Sequence, residues 1–327
     1  MTASLPFRLD WIQYVAEHRD PDLTSFFRFW SLAGEIEGYV LVVALIFAAF
    51  NKRLGARMAV IVLLAMTLNH VLKTIIQNPR PFIDEGNWLE KWAVPPDNAR
   101  ELAAEFSTPS GHAMAAAAAY SFLALSVKDK RIKALAVTVL ILTGLSRPYL
   151  GVHYVEDIML GWMIGLGLAL LAFWRADQVS RLWGQAGPRL SFCLCCAAGL
   201  MIWSGTIVAT SGQVAGQPDA FLAYLGFLAG LCIALPLEKR WVDFDPASEG
   251  LAHRLSRWFV CTVFATLALS LLDVGFARLA DDDSLTGDLL RFVRYALASV
   301  AGFFLAPLLF ARTLGPPNFA EKMGDPQ

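Results

Sequence analysis

The chain has 327 residues, 56% of them hydrophobic and only 17% charged, with a formal net charge of −1. A soluble domain carries about a quarter charged residues, so this deficit, with a mean hydropathy of +0.51, argues against a soluble protein and for an integral membrane protein. No basic surplus exists to meet a phosphate backbone, which excludes a nucleic-acid partner.

The first residues, MTASLPFRLDWIQYVAEHRD, lack a basic stretch followed by an apolar one, so no cleaved signal peptide is expected. Between residues 8 and 30 aromatics (Trp11, Tyr14, Phe26, Phe27, Phe29, Trp30) alternate with charges. That pattern suits a helix lying along a membrane surface, and residues 1–30 are read as an interfacial segment. A hydrocarbon core of ~30 Å needs about 20 apolar residues of helix. Runs of that kind fall at about 32–50, 56–77, 110–127, 132–147, 157–174, 189–210, 219–237, 257–276 and 293–312. The expected fold is therefore all-α, a polytopic transmembrane helical bundle of about nine spans. It divides into a core over 31–176 and an extension of about four helices over 177–327.

Basic residues cluster after the odd-numbered spans: Lys52, Arg53 and Arg57; Lys128, Lys130, Arg131 and Lys133; Arg175, Arg181 and Arg189; Lys239, Arg240, Arg254 and Arg257. The positive-inside rule places those loops in the cytoplasm, the N-terminus outside and the C-terminus inside. Arg278, Arg291 and Arg294 fall on the other side and oppose the assignment, but four loops outweigh one. The five cysteines lie in apolar runs without metal-ligand spacing and read as small buried hydrophobes.

Ionisable residues at span ends are expensive and are functional candidates. Three clusters stand out: Lys73-Thr-Ile-Ile-Gln-Asn-Pro-Arg80-Pro81, Pro109-Ser110-Gly111-His112, and Ser146-Arg147-Pro-Tyr-Leu-Gly-Val-His153-Tyr-Val-Glu-Asp157. The topology above brings all three to the same outer face. Lys73, Arg80 and Arg147 supply cations for a phosphoryl group, and Arg can grip its oxygens bidentately. Ser110 and Gly111 open a helix, where free N–H groups favour an anion. His153 and Asp157, four residues apart, share a helical face, so the carboxylate can fix the ring tautomer and free the other nitrogen as a nucleophile. His112 is left to protonate the departing oxygen.

KTIIQNPRP, PSGH and SRPYLGVHYVED together resemble the three signature motifs of the type 2 phosphatidic acid phosphatase superfamily, over about residues 30–175. The resemblance implies His153 as nucleophile, Asp157 as its orienting partner and His112 as general acid. It assigns Lys73, Arg80, Ser110, Gly111 and Arg147 to phosphate. It also implies a reaction through a phosphohistidine with no metal and no cofactor. The expected substrate is a lipid phosphate or lipid pyrophosphate, such as phosphatidate, phosphatidylglycerophosphate or a polyprenyl pyrophosphate. The expected partners are membrane lipids, in a bacterial inner membrane with the site on its outer face. Two alternatives stay open: a soluble sugar-phosphate phosphatase, because the nine-span plan resembles the glucose-6-phosphatase branch, and a lipid phosphotransferase.

Two further expectations concern regions away from the motifs. The long connection from Pro81 to Pro109 reads as a lid or binding loop with an acidic rim. In the extension, Glu238, Lys239, Arg240, Asp243 and Asp245 read as a solvated loop, and Asp273 as a partner for Arg278, with a group facing a substrate groove as the alternative.

Overall fold

A computed structural model describes residues 5–81, 106–209, 219–247, 250–281 and 284–314, and all regular structure among them is helical. The expected acidic loop falls mostly outside these residues. In chain order the helices are α1 (Asp10–Glu17), α2 (Pro21–Leu32), α3 (Ile36–Leu45), α4 (Lys52–Ile76), α5 (Gly111–Ser126) and α6 (Lys130–Tyr149). They continue with α7 (Val155–Ala209), α8 (Asp219–Trp241), α9 (Leu251–Phe276), α10 (Leu285–Val300) and α11 (Ala306–Leu314). Single π turns follow α3 at Ile46–Phe50 and α10 at Ala301–Leu305.

The helix starts follow from local chemistry. Asp20 accepts from the Asp22 and Leu23 amides ahead of Pro21, Asp129 accepts from the Arg131 amide, and Ser284 accepts from the Gly287 amide. Each satisfies an amide that the first helical turn leaves without a partner. The α7 path breaks at Gly187, whose φ of 74° only glycine adopts cheaply, followed by Pro188. Six of the helices are long and apolar enough to cross a membrane: α4, α6, α7, α8, α9 and α10 running into α11. The pair α2 and α3, bent by 59°, passes the same test jointly. The 16 residues of α5 fall short in length, and its alanines from Ala115 to Ala119 are buried by protein.

The chain forms two compact units, each built from separate stretches. The first holds Met1–Tyr39, Leu64–Ala176 and Ile202–Gln217. Here α1 and α2 pack on α6, with Ile12 and Val15 of α1 turned inward and Trp11 and Tyr14 exposed. Phe27 of α2 stacks 4.4 Å from Tyr149. The α7 helix meets α5 through Gly161 and Gly165: a Cβ at Gly165 would stand 2.3 Å from the Met114 carbonyl oxygen. Small residues one turn apart let two backbones approach this closely, the usual basis of helix association in lipid.

The second unit holds Val40–Leu63, Asp177–Met201 and Pro218–Gln327. It repeats that device, with Gly226 and Gly230 of α8 each 2.3 Å (measured from a notional Cβ) from the Phe292 and Ala296 carbonyl oxygens of α10. Of the charges expected as a solvated loop at the end of α8, Lys239, Arg240, Asp243 and Asp245 are exposed, and only Glu238 departs. Glu238 is buried and accepts from Lys52 Nζ at 2.9 Å, while Asp243 meets the same ammonium at 3.1 Å. Arg257, also buried, lies over the Phe244 and Phe310 rings at 4.7 and 5.7 Å. Asp273 pairs with Arg294 rather than Arg278, since α9 and α10 pack side by side. Cys195, Cys232 and Cys261 are buried, as expected of small hydrophobes, and Cys193 is exposed.

Candidate active site

All eight residues singled out in the sequence lie in the first unit. Lys73 sits on the last turn of α4. Beyond it Gln77 takes a positive φ of 54° and turns the chain, so that Asn78 and Arg80 are buried. Asn78 holds two loops together: its carbonyl accepts from the Ser107 amide at 2.8 Å and its side chain donates to Thr108 Oγ1 at 2.9 Å. Ser110 then caps α5, accepting from the Ala113 amide, and its own amide donates to the Asp157 carbonyl at 3.2 Å. Gly111 is the first residue of α5; a Cβ there would stand 3.0 Å from Asn69 Oδ1 of α4. Arg147 closes α6, and Gly151, with φ of 80°, reverses the chain toward His153 and the first turn of α7.

His153 and Asp157 are buried and face each other, Nδ1 to Oδ2, at 3.3 Å. The carboxylate also accepts from Ser107 Oγ and Thr108 Oγ1 at 2.5 Å each, and from the Tyr154 amide at 3.0 Å. Ser107 Oγ lies 3.2 Å from His153 Nδ1 as well. On the other side of the ring, Arg80 donates to the Val152 carbonyl at 3.1 Å and stands 3.3 Å from Nε2. A guanidinium can only donate, so this arrangement favours the tautomer with its proton on Nδ1 and a lone pair on Nε2. That lone pair faces a cation.

His112 extends the cluster. Its ring is within electrostatic range of Arg147, His153, Lys73 and Arg80, so the three sequence clusters converge in space. Its Nε2 is buried and has no hydrogen-bond partner among the described residues. Arg147 is buried and donates to Ser31 Oγ at 2.6 Å, with Glu35 within electrostatic range. Among the described residues no three His, Cys, Asp or Glu side chains gather as metal ligands.

Several partners were not read from the sequence. Ser107 and Thr108 precede the PSGH motif directly, and hydroxyls beside a recognised motif were an available signal. Asn69, which donates to the Pro109 carbonyl at 2.9 Å, is a polar residue inside an apolar span and was equally visible. Ser31 and Gly34, far upstream, carried no signal.

The helical architecture and this site define a membrane phosphatase-like protein of one family. The PAP2 superfamily model matches residues 54–181, and a second, the PAP2 superfamily phosphatase transmembrane extension, matches 222–316. The chain belongs to the PAP2 superfamily, with a PAP2 domain followed by that extension. It is 36% identical over 104 residues to phosphatidylglycerophosphatase B of Bacillus subtilis, covering 29% of this chain and 50% of that protein. It is 31% identical over 174 residues to sphingosine-1-phosphate phosphatase 2 of Mus musculus, covering 51% and 46%. It is 25% identical over 122 residues to undecaprenyl-diphosphatase of Sulfolobus acidocaldarius, covering 37% and 55%. The chain spans about half the length of the curated relatives it matches.

Proposed function

We propose that the protein is a membrane phosphatase that hydrolyses a lipid phosphate or lipid diphosphate through a phosphohistidine on His153, without a metal. The observation that carries this reading is the His153 ring held between Asp157 on Nδ1 and Arg80 on Nε2. The phosphoryl group takes the place beside Nε2 where Arg80 now stands closest. Arg80, Arg147 and Lys73 then neutralise its oxygens, together with the free amides at the start of α5. These groups supply the charge stabilisation that a metal gives elsewhere.

In the first step Nε2 attacks phosphorus, the P–N bond forms and the ester P–O bond breaks. His112, protonated, gives its proton to the leaving oxygen. In the second step the neutral His112 takes a proton from water, the hydroxide attacks phosphorus, and the P–N bond breaks. Inorganic phosphate leaves and both histidines return to their starting forms. Asp157 stabilises the positive ring while the nucleophile carries the phosphoryl group.

The substrate class rests on the relatives, whose names point to phosphatidylglycerophosphate, sphingosine 1-phosphate and undecaprenyl diphosphate. It rests also on a site at helix ends in an apolar protein, where a lipid keeps its tail in the bilayer. We assign the core to 31–176 and the extension to 177–327, in a bacterial cell membrane with the site facing outward, following the basic loops. Nine crossings result if the two halves of α7, the buried α5 and the bent α2 and α3 pair are each counted beside the long helices.

The test offers purified protein phosphatidylglycerophosphate, a sphingoid-base phosphate, a polyprenyl diphosphate and glucose 6-phosphate, each with excess chelator. Phosphate release from at least one lipid, undiminished by chelator, is the expected result. Release from glucose 6-phosphate alone would overturn the lipid reading, and complete loss in chelator would overturn the metal-free one.

A further inference from the structure

The corner between α2 and α3, residues 30–34, packs against α5 and α6 and reaches the candidate site at two residues, Arg147 and His112. Ser31 Oγ accepts from Arg147 at 2.6 Å, and the Trp30 carbonyl accepts from Thr143 Oγ1 at 3.3 Å. The Ala33 carbonyl accepts from Tyr120 Oη at 3.4 Å. Gly34 leaves no room: a Cβ there would stand 2.8 Å from His112 Cδ2 and 2.4 Å from Thr143 Cγ2. Real Cβ atoms do not approach carbon this closely, so any larger residue displaces the His112 ring or the helix carrying it. Gly34 has an ordinary backbone conformation, so close approach is what requires glycine here. The corner lies outside residues 54–181, the stretch matched as the PAP2 domain.

We infer that this corner is a built part of the catalytic site, with Gly34 positioning the general acid His112 and Ser31 positioning the phosphate ligand Arg147. The inference rests on the roles proposed above for those two residues. It gives the start of the core, upstream of the PAP2 match, a positioning role in the reaction. Proton donation demands placement within hydrogen-bond reach of the leaving oxygen, so a ring pushed aside by an added methyl loses much of its effect. Ser31 holds the Arg147 fork in one orientation, which matters because a guanidinium binds phosphate through fixed geometry.

The general-acid duty is read from leaving-group dependence. A lipid phosphate expels a poor alkoxide and needs the acid; p-nitrophenyl phosphate expels a phenoxide that leaves without much help. Gly34→Ala is paired with Thr143→Ser, which removes the Cγ2 clash, keeps the hydroxyl that bonds Trp30, and leaves only the His112 contact strained. The double variant should lose on the order of tenfold or more in kcat on a lipid phosphate and under about threefold on p-nitrophenyl phosphate. Thr143→Ser alone should behave as wild type. Equal loss on both substrates, or no loss, would overturn the positioning role of Gly34. His112→Ala separates the two readings: if it shows no leaving-group dependence, the general-acid assignment itself fails. Ser31→Ala deletes one oxygen and tests the other half. It should weaken inhibition by inorganic phosphate about three- to tenfold, whereas an unchanged inhibition constant would overturn the role of Ser31.

Discussion

The two units solve the same packing problem alike and treat buried charge differently. In each, a pair of glycines four residues apart, Gly161 and Gly165 or Gly226 and Gly230, lets a helix lie almost against its neighbour's carbonyls. In the second unit the Lys52 ammonium meets two carboxylates, and Arg257 lies between two aromatic rings. In the first, Arg80 stands 3.3 Å from His153, Arg147 and Lys73 lie within electrostatic range of His112, and Asp157 is in hydrogen-bond contact with His153, with Glu35 within electrostatic range of Arg147. In the second unit a cation is matched by carboxylates on a neighbouring helix end, whereas in the first the described cations gather around two histidines. Membrane proteins bury charge only at a cost, so the contrast separates a charge network that fastens helices from the cluster that the proposed function assigns to phosphate.

Three substitutions sharpen that contrast, and the largest effect belongs to the first unit. Asp157→Asn keeps the shape of the carboxyl group but cannot stabilise a positive ring, and it upsets the tautomer that leaves Nε2 free. Turnover should fall on the order of 10³- to 10⁴-fold, measured by phosphate release, while the thermal midpoint in detergent changes little. Lys52→Met acts in the second unit and strands Glu238, which is buried, without its ammonium. Removing one partner of a buried pair costs about 3 kcal/mol, read as a lowered thermal midpoint, with turnover of the folded fraction within about twofold of wild type. If Lys52→Met instead abolished turnover without destabilising, the division of labour between the units would be wrong. Arg147→Lys keeps the charge and loses the fork, so kcat/KM should drop about tenfold, mostly through KM.

The candidate site was legible in the sequence because its chemistry is local. Three short motifs carry the charges and histidines, and the fold then had only to bring their helix ends together. What went unread is set by distant contacts. The 2.6 Å bond from Arg147 to Ser31 spans 116 positions, and nothing around Ser31 or Gly34 in the sequence marks a functional corner. Glu238 sits in Leu-Glu-Lys-Arg-Trp, which reads as a solvated helix end, and only Lys52, 186 positions away, makes it a buried partner. Asp273 went to Arg294 for the same reason: the nearest arginine in sequence is not the nearest in space. Helix counting from apolar runs is ambiguous where protein replaces lipid, as around the alanines of α5.

The most direct test of the account is chemical trapping of the covalent intermediate. Wild-type protein mixed with a lipid phosphate labelled in its phosphoryl group, then denatured within milliseconds, should carry label that is stable in base and lost in acid, as a phosphohistidine is. His153→Ala should carry none, and His112→Ala should load more slowly but still load. Equal labelling of the His153→Ala variant, or label stable in acid and lost in base, would contradict the account.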